Sequence, residues 1–282
     1  MKFVNDQQVE MNGIQNINVS YKDAAIILLK NDTSSLVVKE YKSIGGRGAS
    51  SFNVISSGNA INITEGNRPL FFGSFYQLEI YVPETFAGNI TIKPGDGNVQ
   101  LKDNFTFDSV NIENSSGHIK INEIIARKIK LQTSEGKVQC GTINGDMEVF
   151  TKDGSIVVDK LSGNIFARAN SGKIHLKDVS GSVRAEAKEG KIQCTVTKPL
   201  GNILLASGDG SVALDIPRDL YFRFFAKTSG SITTPFMDNL SRPVTDSYAY
   251  QGIIGDENTS GNEAVDIKIT AKDYKIAVNW ID

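Results

Sequence analysis

The chain reads LSGNIFARANSGKIHLKD from residue 161 to 178 and VSGSVRAEAKEGKIQCTV from 179 to 196. The stretches INGDMEVFTKDGSIVVDK at 143–160 and PLGNILLASGDGSVALDI at 199–216 follow the same pattern, the last after two inserted residues. Glycines recur at a nine-residue step: Gly136, Gly145, Gly154, Gly163, Gly172, Gly181 and Gly190. A fixed short period of this kind is the sequence signature of a repeat fold, in which each unit packs on its neighbours.

Each eighteen-residue unit contains two runs in which apolar and polar residues alternate, as they do in half-buried strands. Glycine precedes each run, where a chain that changes direction often needs a positive φ. Helical crossovers between parallel strands need more residues than these steps provide. The predicted inward residues are Met147, Val149, Ile156, Val158, Ile165, Ala167, Ile174, Leu176, Val183, Ala185, Ile192, Cys194, Ile203, Leu205, Val212 and Leu214. We therefore predict an all-β, right-handed parallel β-helix (β-solenoid) with coils of about 18 residues.

Weaker copies of the repeat extend towards both ends of the chain. Alternating apolar residues begin at Ile17 near the N-terminus and at Ile267 near the C-terminus, which suits capping coils that differ from the interior. We predict one β-solenoid domain over residues 1–282, with degenerate N-terminal coils at 16–106, regular repeats at 107–216, and C-terminal coils and a cap at 217–282. Pro83 and Pro217 are expected to end strands. The stretches 42–48, 65–73 and 239–261 lack the pattern and are predicted to be loops or flaps. Small residues are expected to share one corner: Thr133, Thr151, Ala169, Ala187 and Ser207.

The charge and the chain ends limit the classes of partner. Thirty lysines and arginines against 32 acidic residues give a formal net charge of −2, which argues against non-specific nucleic-acid binding. The first ten residues have no apolar stretch of signal-peptide length, and the run from Ala24 to Leu29 is too short to span a bilayer. We expect a cytoplasmic protein that does not insert into a membrane, or a cell-surface protein if a leader or anchor precedes Met1. The oligomeric state stays open.

Residues that commonly carry chemistry are few. Cys140 and Cys194 fall on one predicted inward column, three periods apart, so they are interpreted as small buried hydrophobic residues that are too far apart for a disulfide. His118 and His175 have no second histidine or cysteine at ligand spacing, which argues against zinc. We predict no cofactor, no metal site and no catalytic residues.

Acidic residues beside the glycines raise the possibility of a calcium-binding β-roll. Lysine often follows the glycine, as at Lys137, Lys173 and Lys191, and its charge would repel the ion. A charge-balanced solvated edge is the better interpretation of these turns.

The outward side of the first strand in each unit is the predicted binding face. Phe150, Phe166 and Leu204 are apolar where the alternation predicts solvent, and Arg168 and Arg184 lie beside them. Apolar clusters with arginine nearby often mark contact surfaces. The alternative is that a terminal segment or the 239–261 stretch covers these side chains.

The same fold class includes enzymes that cleave polysaccharides. Such sites need clustered carboxylates for calcium and a positioned base. Glu148 and Glu186 fall in different outward columns, separated by phenylalanine and arginine. The sequence therefore favours a non-enzymatic protein, with a lyase-like polysaccharide-active enzyme as the alternative.

Ser-Gly motifs preceding the strands, as in Leu161–Ile165 and Val179–Val183, together with the strand ends Val82-Pro83 and Ile216-Pro217, resemble the bacterial putative-adhesin family of β-strand-repeat domains. The resemblance covers about residue 16 to the end of the chain. It implies a β-helical fold, a bacterial source and a non-catalytic binding or scaffold module for an unknown protein or glycan. A further alternative by analogy is an intracellular partner of a membrane or envelope-stress system.

Overall fold

A computed structural model describes residues 1–43, 52–66, 75–243, 246, 248–256 and 264–281. The chain divides into two compact units, Met1–Asn144 and Gly145–Asp282, which are described in turn. The organisation as one domain stays a prediction. The described part of the chain is built from β-strands with one short 3-10 helix at Met237–Asn239, as expected for an all-β protein.

The strands are β1 (Lys2–Glu10), β2 (Asn16–Ser20), β3 (Ala25–Asn31), β4 (Ser35–Lys42), β5 (Phe52–Ser57), β6 (Ala60–Glu65), β7 (Tyr76–Pro83), β8 (Asn89–Gly95), β9 (Val99–Asn114), β10 (Ile119–Glu135), β11 (Val138–Asp153), β12 (Ile156–Ser162), β13 (Ile165–Ser171), β14 (Ile174–Glu189), β15 (Ile192–Asp209), β16 (Val212–Pro217), β17 (Phe222–Lys227), β18 (Ile232–Thr233), β19 (Ala249–Ile254), β20 (Val265–Ala271) and β21 (Ile276–Ile281). Pro83 and Pro217 are the last residues of β7 and β16, so the prediction that each proline ends a strand is confirmed.

The second unit consists of parallel strands that stack in register, one coil above the next. The first strands of successive coils align Met147, Ile165, Val183, Ile203 and Ile267. The second strands align Ile156, Ile174, Ile192, Val212 and Ile276. The step is eighteen residues until β15, where irregular pairing absorbs the two inserted residues. The predicted parallel β-solenoid and its coil length are confirmed by this register.

Inward side chains of the second unit form continuous apolar files. Val158, Leu176, Cys194, Leu214 and Val278 are consecutive register partners, and each is at most 2% exposed. Because parallel in-register strands place equivalent side chains about 4.8 Å apart, each member packs on the member above and below it. The core of this unit therefore follows directly from the repeat.

The glycine corners have two causes. Gly172 adopts φ of 135°, which side-chain-bearing residues rarely adopt. A Cβ built on Gly172 would lie 2.0 Å from the carbonyl oxygen of Gly154, one coil away. The Gly172 N–H donates to the carbonyl oxygen of Glu189 at 2.9 Å on the other side. The backbones of successive coils thus approach too closely at this corner for any other residue.

Small residues occupy the adjoining corner, as predicted. In the second unit they are register partners and are all buried: Thr151, Ala169, Ala187, Ser207 and Ala271. The Ser207 hydroxyl donates to the carbonyl oxygen of Gly190 at 2.8 Å, so its buried polar group is satisfied.

The last coils of the second unit depart from the repeat. β17 pairs in parallel with β20 and antiparallel with β19. The aromatic residues Phe222, Phe224, Phe236 and Trp280 pack against one another with ring centroids 5.1–6.4 Å apart. This aromatic cluster buries the phenylalanine-rich stretch that follows Pro217.

The interpretation of 239–261 as a loop needs correction, because the stretch contains β19. Gly252 interrupts the apolar alternation of AYQGII and hides the strand in the sequence. Pairing with β17 supplies the stability that the local pattern lacks. Residues 244, 245, 247 and 257–261 of this stretch lie outside the described part, as do 44–48 and 67–73 of the other two predicted loops. Lys42 and Glu65 are the last residues of β4 and β6.

The first unit also contains parallel coils. β2 pairs with β6 and β8, β3 pairs with β7 and β9, and β9 pairs with β8 and β10. The N-terminal copy of the repeat is confirmed, since Ile17, Val19, Ile26 and Leu28 are all buried. Antiparallel strands, which the repeat does not predict, complete this unit: β4 lies between β1 and β7, and β5 pairs with β6.

Candidate functional site

The predicted binding face lies on the outward side of β11, β13, β14 and β15 in the second unit. One outward column places Glu148, Phe166, Arg184 and Leu204 side by side on successive coils. The same column continues through Lys268 of β20, Phe225 of β17 and Gln251 of β19. We call this series of seven residues the outward column. Its members come from strands that are far apart in the sequence.

The five predicted face residues are neighbours in this sheet. Phe150 is the register partner of Arg168, and Phe166 is the register partner of Arg184. Phe150, Phe166 and Leu204 are half-buried, whereas Arg168 and Arg184 are exposed. The structure thus brings the predicted residues together, and their role in binding stays a prediction.

Arg184 is held in place by two contacts. Its guanidinium carbon lies 5.0 Å from the centroid of the Phe166 ring, within the range of a cation–π interaction. Its Nη2 atom lies 2.6 Å from Oε1 of Glu186, and its Nε atom donates to the same oxygen at 2.8 Å. These contacts fix Arg184 over the apolar surface, and much of its charge is neutralised by Glu186.

Two other cations of the face are also paired. Nε of Arg223 lies 2.6 Å from Oδ1 of Asp266, and this hydrogen bond lowers the pKa of the Asp266 carboxyl. Nζ of Lys227 lies 2.5 Å from Oδ2 of Asp246, and this hydrogen bond is the main reason that the pKa of Asp246 is lowered. Both carboxylates stay ionised well below neutral pH and hold their cations.

Arg168 and Lys268 differ from these paired cations. In the part of the chain that the structure describes, neither side chain has a carboxylate partner. Nζ of Lys268 lies 5.7 Å from the centroid of the Phe225 ring. Arg168 and Lys268 thus form no ion pair among the described residues and lie beside half-buried apolar side chains, and Arg168 is the register partner of Glu186 on the next coil.

A groove of about 560 Å³ opens at the C-terminal end of the outward column. Leu204, Phe225 and Ile253 supply apolar surface, and Ile253 is 61% exposed. The Ser241 N–H donates to the carbonyl oxygen of Gln251 at 2.9 Å, and both residues line the groove. Part of the 239–261 stretch thus forms a wall of a groove that includes Leu204, while Phe150 and Phe166 lie outside it.

The groove is lined by apolar, amide, hydroxyl and charged groups: Asn202, Leu204, Arg223, Phe224, Phe225, Ser241, Gln251, Gly252, Ile253, Asp266, Ile267 and Lys268. Its size lies in the range typical of ligand pockets. Sequence reasoning found Leu204 but missed Phe225, Gln251, Ile253 and Lys268, because these residues join the face only through pairing of distant strands.

Groups that could carry catalysis are isolated. Among the described residues, no three histidine, cysteine, aspartate or glutamate side chains form a group able to hold a metal. Cys140 and Cys194 are buried, as predicted, and burial raises the pKa of the Cys194 thiol. Nδ1 of His118 accepts a hydrogen bond from the Lys137 backbone N–H at 2.8 Å, and His175 is half-buried. A buried thiol whose pKa is raised, such as that of Cys194, is a poor nucleophile.

A second polar and aromatic cluster, which the sequence interpretation missed, lies on the outward side of β4 and β7 in the first unit. The Tyr81 hydroxyl donates to Oε2 of Glu79 at 2.9 Å, and Nζ of Lys39 lies 4.6 Å from the centroid of the Tyr81 ring. Burial, and then the hydrogen bond to Glu79, raise the pKa of Tyr81 to about 12, and the same causes raise the pKa of Tyr41. The available signal was the unbroken apolar run 24–29, which enters β3: its outward residues Ile27 and Leu29 are the register partners of Glu79 and Tyr81, and apolar residues on both faces of a strand indicate a covered or interacting face.

The comparisons with known proteins concern the chain as a whole. The Toastrack DUF4097 family model matches residues 14–278. No curated protein matches the chain. One similar solved structure is a putative adhesin from Bacteroides fragilis, with 12% identity, coverage of 98% of this chain and 96% of that chain, and a TM-score of 0.44. Another is a putative cell adhesion protein from Clostridium sporogenes, with 11% identity, coverage of 98% and 99%, and a TM-score of 0.23. Within the described residues, no helix has the length and apolar character needed to cross a membrane.

Proposed function

The chain belongs to the Toastrack DUF4097 family, and from that premise we propose that it is a non-catalytic binding module. In this proposal the β-solenoid is a rigid scaffold, and the outward column with its groove contacts a protein or glycan partner. The proposal concerns binding by the second unit.

The observation that carries the proposal is the composition of the outward column. Phe166, Leu204 and Phe225 are half-buried on the side of the sheet that faces away from the core, and the cationic residues Arg168 and Lys268 lie beside them. An outward sheet face of a monomer is normally polar, so apolar side chains bordered by cations indicate a contact surface. Aromatic residues and arginine are also the types enriched at the centres of interfaces.

Rigidity is a second support. Each strand of the face is hydrogen-bonded in register to the next, and the inward side of every strand is packed in the core. A face held in this way loses little conformational freedom when a ligand binds, which favours affinity. Stacked coils also give an extended surface suited to a long partner.

The direct test is binding of the labelled protein to arrays of peptides and glycans. The test variants are Ile253→Ser and Phe225→Ser in the groove, and the matched control is Ile125→Ser, an exposed strand residue of the first unit. We expect a ligand whose binding falls at least five-fold with either groove variant and is unchanged with the control. The proposal would be contradicted if every ligand bound both groove variants as well as the wild-type protein, or if no ligand were found.

The lyase-like alternative has its own test. Outward Glu148 and Glu186 lie in different columns, and Glu186 is engaged by Arg184, so this face offers no pair of free carboxylates for calcium. We expect no unsaturated product when the protein is incubated with acidic polysaccharides and calcium. Absorbance of the unsaturated sugar would reveal cleavage and would replace the binding proposal with an enzymatic one.

A further inference from the structure

We infer that the outward column and its groove bind an extended acidic peptide segment of a partner protein. The segment would carry two acidic side chains four residues apart and an apolar side chain two residues beyond the second. This inference rests on the proposed function, because it names the ligand of the same face.

The spacing follows from the register of the coils. Arg168 lies in the coil of Phe166, and Lys268 lies three coils further along the same face. Neighbouring coils are about 4.8 Å apart, so the two cationic rows are separated by about 14 Å along the stack, and Arg168 stands two residues, about 7 Å, to one side of the outward column that contains Lys268. The two residues are therefore about 16 Å apart across the diagonal. An extended peptide rises about 3.3 Å per residue, so acidic residues i and i+4 lie about 13 Å apart on the same side of the peptide, and the long arginine and lysine side chains span the remaining distance.

The apolar position follows from the groove. Beyond Lys268 the next coils bring Phe225 and then β19 with Ile253, which is 61% exposed. Residue i+6 of an extended peptide lies about 7 Å beyond residue i+4 and on the same side. It would therefore reach the apolar part of the groove between Phe225 and Ile253.

Polar groups of the groove favour a peptide over other anions. Gln251, Ser241 and Asn202 line the groove with donors and acceptors, which an extended peptide backbone needs for its amides and carbonyls. A fatty acid would cover the side-chain amide groups of Gln251 and Asn202 without hydrogen-bonding to their N–H groups, and an acidic polysaccharide would leave the apolar surface of Phe225 and Ile253 uncovered. Acidic residues elsewhere in the segment would be repelled, because Glu148 precedes Phe166 in the outward column and Glu186 is the register partner of Arg168 on the next coil.

The probe is the dye-labelled peptide Glu-Ser-Ser-Ser-Glu-Ser-Leu, measured by fluorescence anisotropy against the full chain at 50 and 300 mM salt. Comparison peptides place the two acids side by side, replace both acids by lysine, or replace the leucine by serine. The protein variants are R168Q/K268Q and the matched control K120Q/K128Q, which removes two exposed lysines of the first unit.

We expect the probe to bind the wild-type chain, to bind about five-fold more weakly to R168Q/K268Q, and to keep its affinity for the control. Loss of the leucine should weaken binding about ten-fold, the peptide with adjacent acids should bind several-fold more weakly, and salt should reduce the affinity. Equal binding of all peptides, no binding, or an unchanged R168Q/K268Q variant would overturn the inference.

The outcome can be separated from that of the proposed function. If the arrays give a glycan or a neutral peptide whose binding needs Phe225 and Ile253, the binding function stands and the acidic-peptide inference fails. If the arrays give no ligand and the probe does not bind, both fail. Thermal melting of each variant verifies that a loss of binding does not come from unfolding.

Discussion

Replacing Leu176 and Leu204 separately by alanine tests whether the repeat places one leucine in the core and the other on the outward face. Leu176 is 0% exposed and lies in register between Val158 and Cys194, whereas Leu204 is half-buried on the opposite side of the sheet. Both residues belong to the second unit, so each variant serves as the control for the other. We expect a large loss of stability for Leu176→Ala and a small one for Leu204→Ala.

The loss of unfolding free energy depends on how far the structure around each substituted leucine can relax. Leucine-to-alanine changes in cores cost about 2–5 kcal/mol, and the cost is largest where the cavity cannot collapse. The strands around Leu176 are fixed by backbone hydrogen bonds to the next coil, such as Ile174 N–H to the carbonyl oxygen of Lys191 at 3.0 Å. We therefore expect about 4 kcal/mol for Leu176→Ala. A half-buried side chain loses less apolar burial, so we expect about 1 kcal/mol for Leu204→Ala.

The assay is equilibrium unfolding in urea, followed by the fluorescence of Trp280. Trp280 is the single tryptophan of the chain and packs against Phe236 in the second unit with ring centroids 5.2 Å apart, so its signal reports that unit. The slope of the unfolding free energy against urea concentration should be the same in both variants, and only the midpoint of unfolding should shift. A loss below about 1 kcal/mol for Leu176→Ala, or equal losses for the two variants, would refute the assignment of inward and outward columns.

Three further predictions concern the corners, the tyrosine cluster and the cysteines. Gly172→Ala should cost more than about 2 kcal/mol, because it combines a positive φ with a backbone clash. Gly58→Ala has the positive φ without the clash and should cost about 1 kcal/mol. Gly58 lies in the first unit, so the unfolding of both variants is followed by far-UV circular dichroism, which reports both units; equal losses of stability would contradict the close approach of the coils. In the folded state the pKa of Tyr81 is raised to about 12, so the folded protein keeps a proton that the unfolded chain loses near pH 10. The contribution of Tyr81 to stability is therefore complete below pH 10 and is lost as the pH rises towards 12. Absorbance at 295 nm should lose its latest-titrating step in Tyr81→Phe, and an unchanged titration would refute the raised pKa of Tyr81. A thiol reagent should label Cys194 only after unfolding, since the side chain is 2% exposed, and rapid labelling of the native protein would contradict its place in the core.

The sequence by itself determined the repeat, the inward columns and the corner glycines of the second unit. These features depend on neighbours one period away, so their periodicity is visible in the order of residues 143–216. The same alternation identified Phe150, Phe166 and Leu204 as apolar residues on the outward side.

Only the tertiary structure decided what surrounds that face. Leu204 is the register partner of Lys268, 64 residues away, and Phe225 meets Gln251 by antiparallel pairing. The tyrosine cluster of the first unit likewise depends on the pairing of β4 with β7. Pairing between distant strands depends on the burial and hydrogen bonding that the whole fold achieves. It has no local period, so the alternation of residues in the sequence does not predict it.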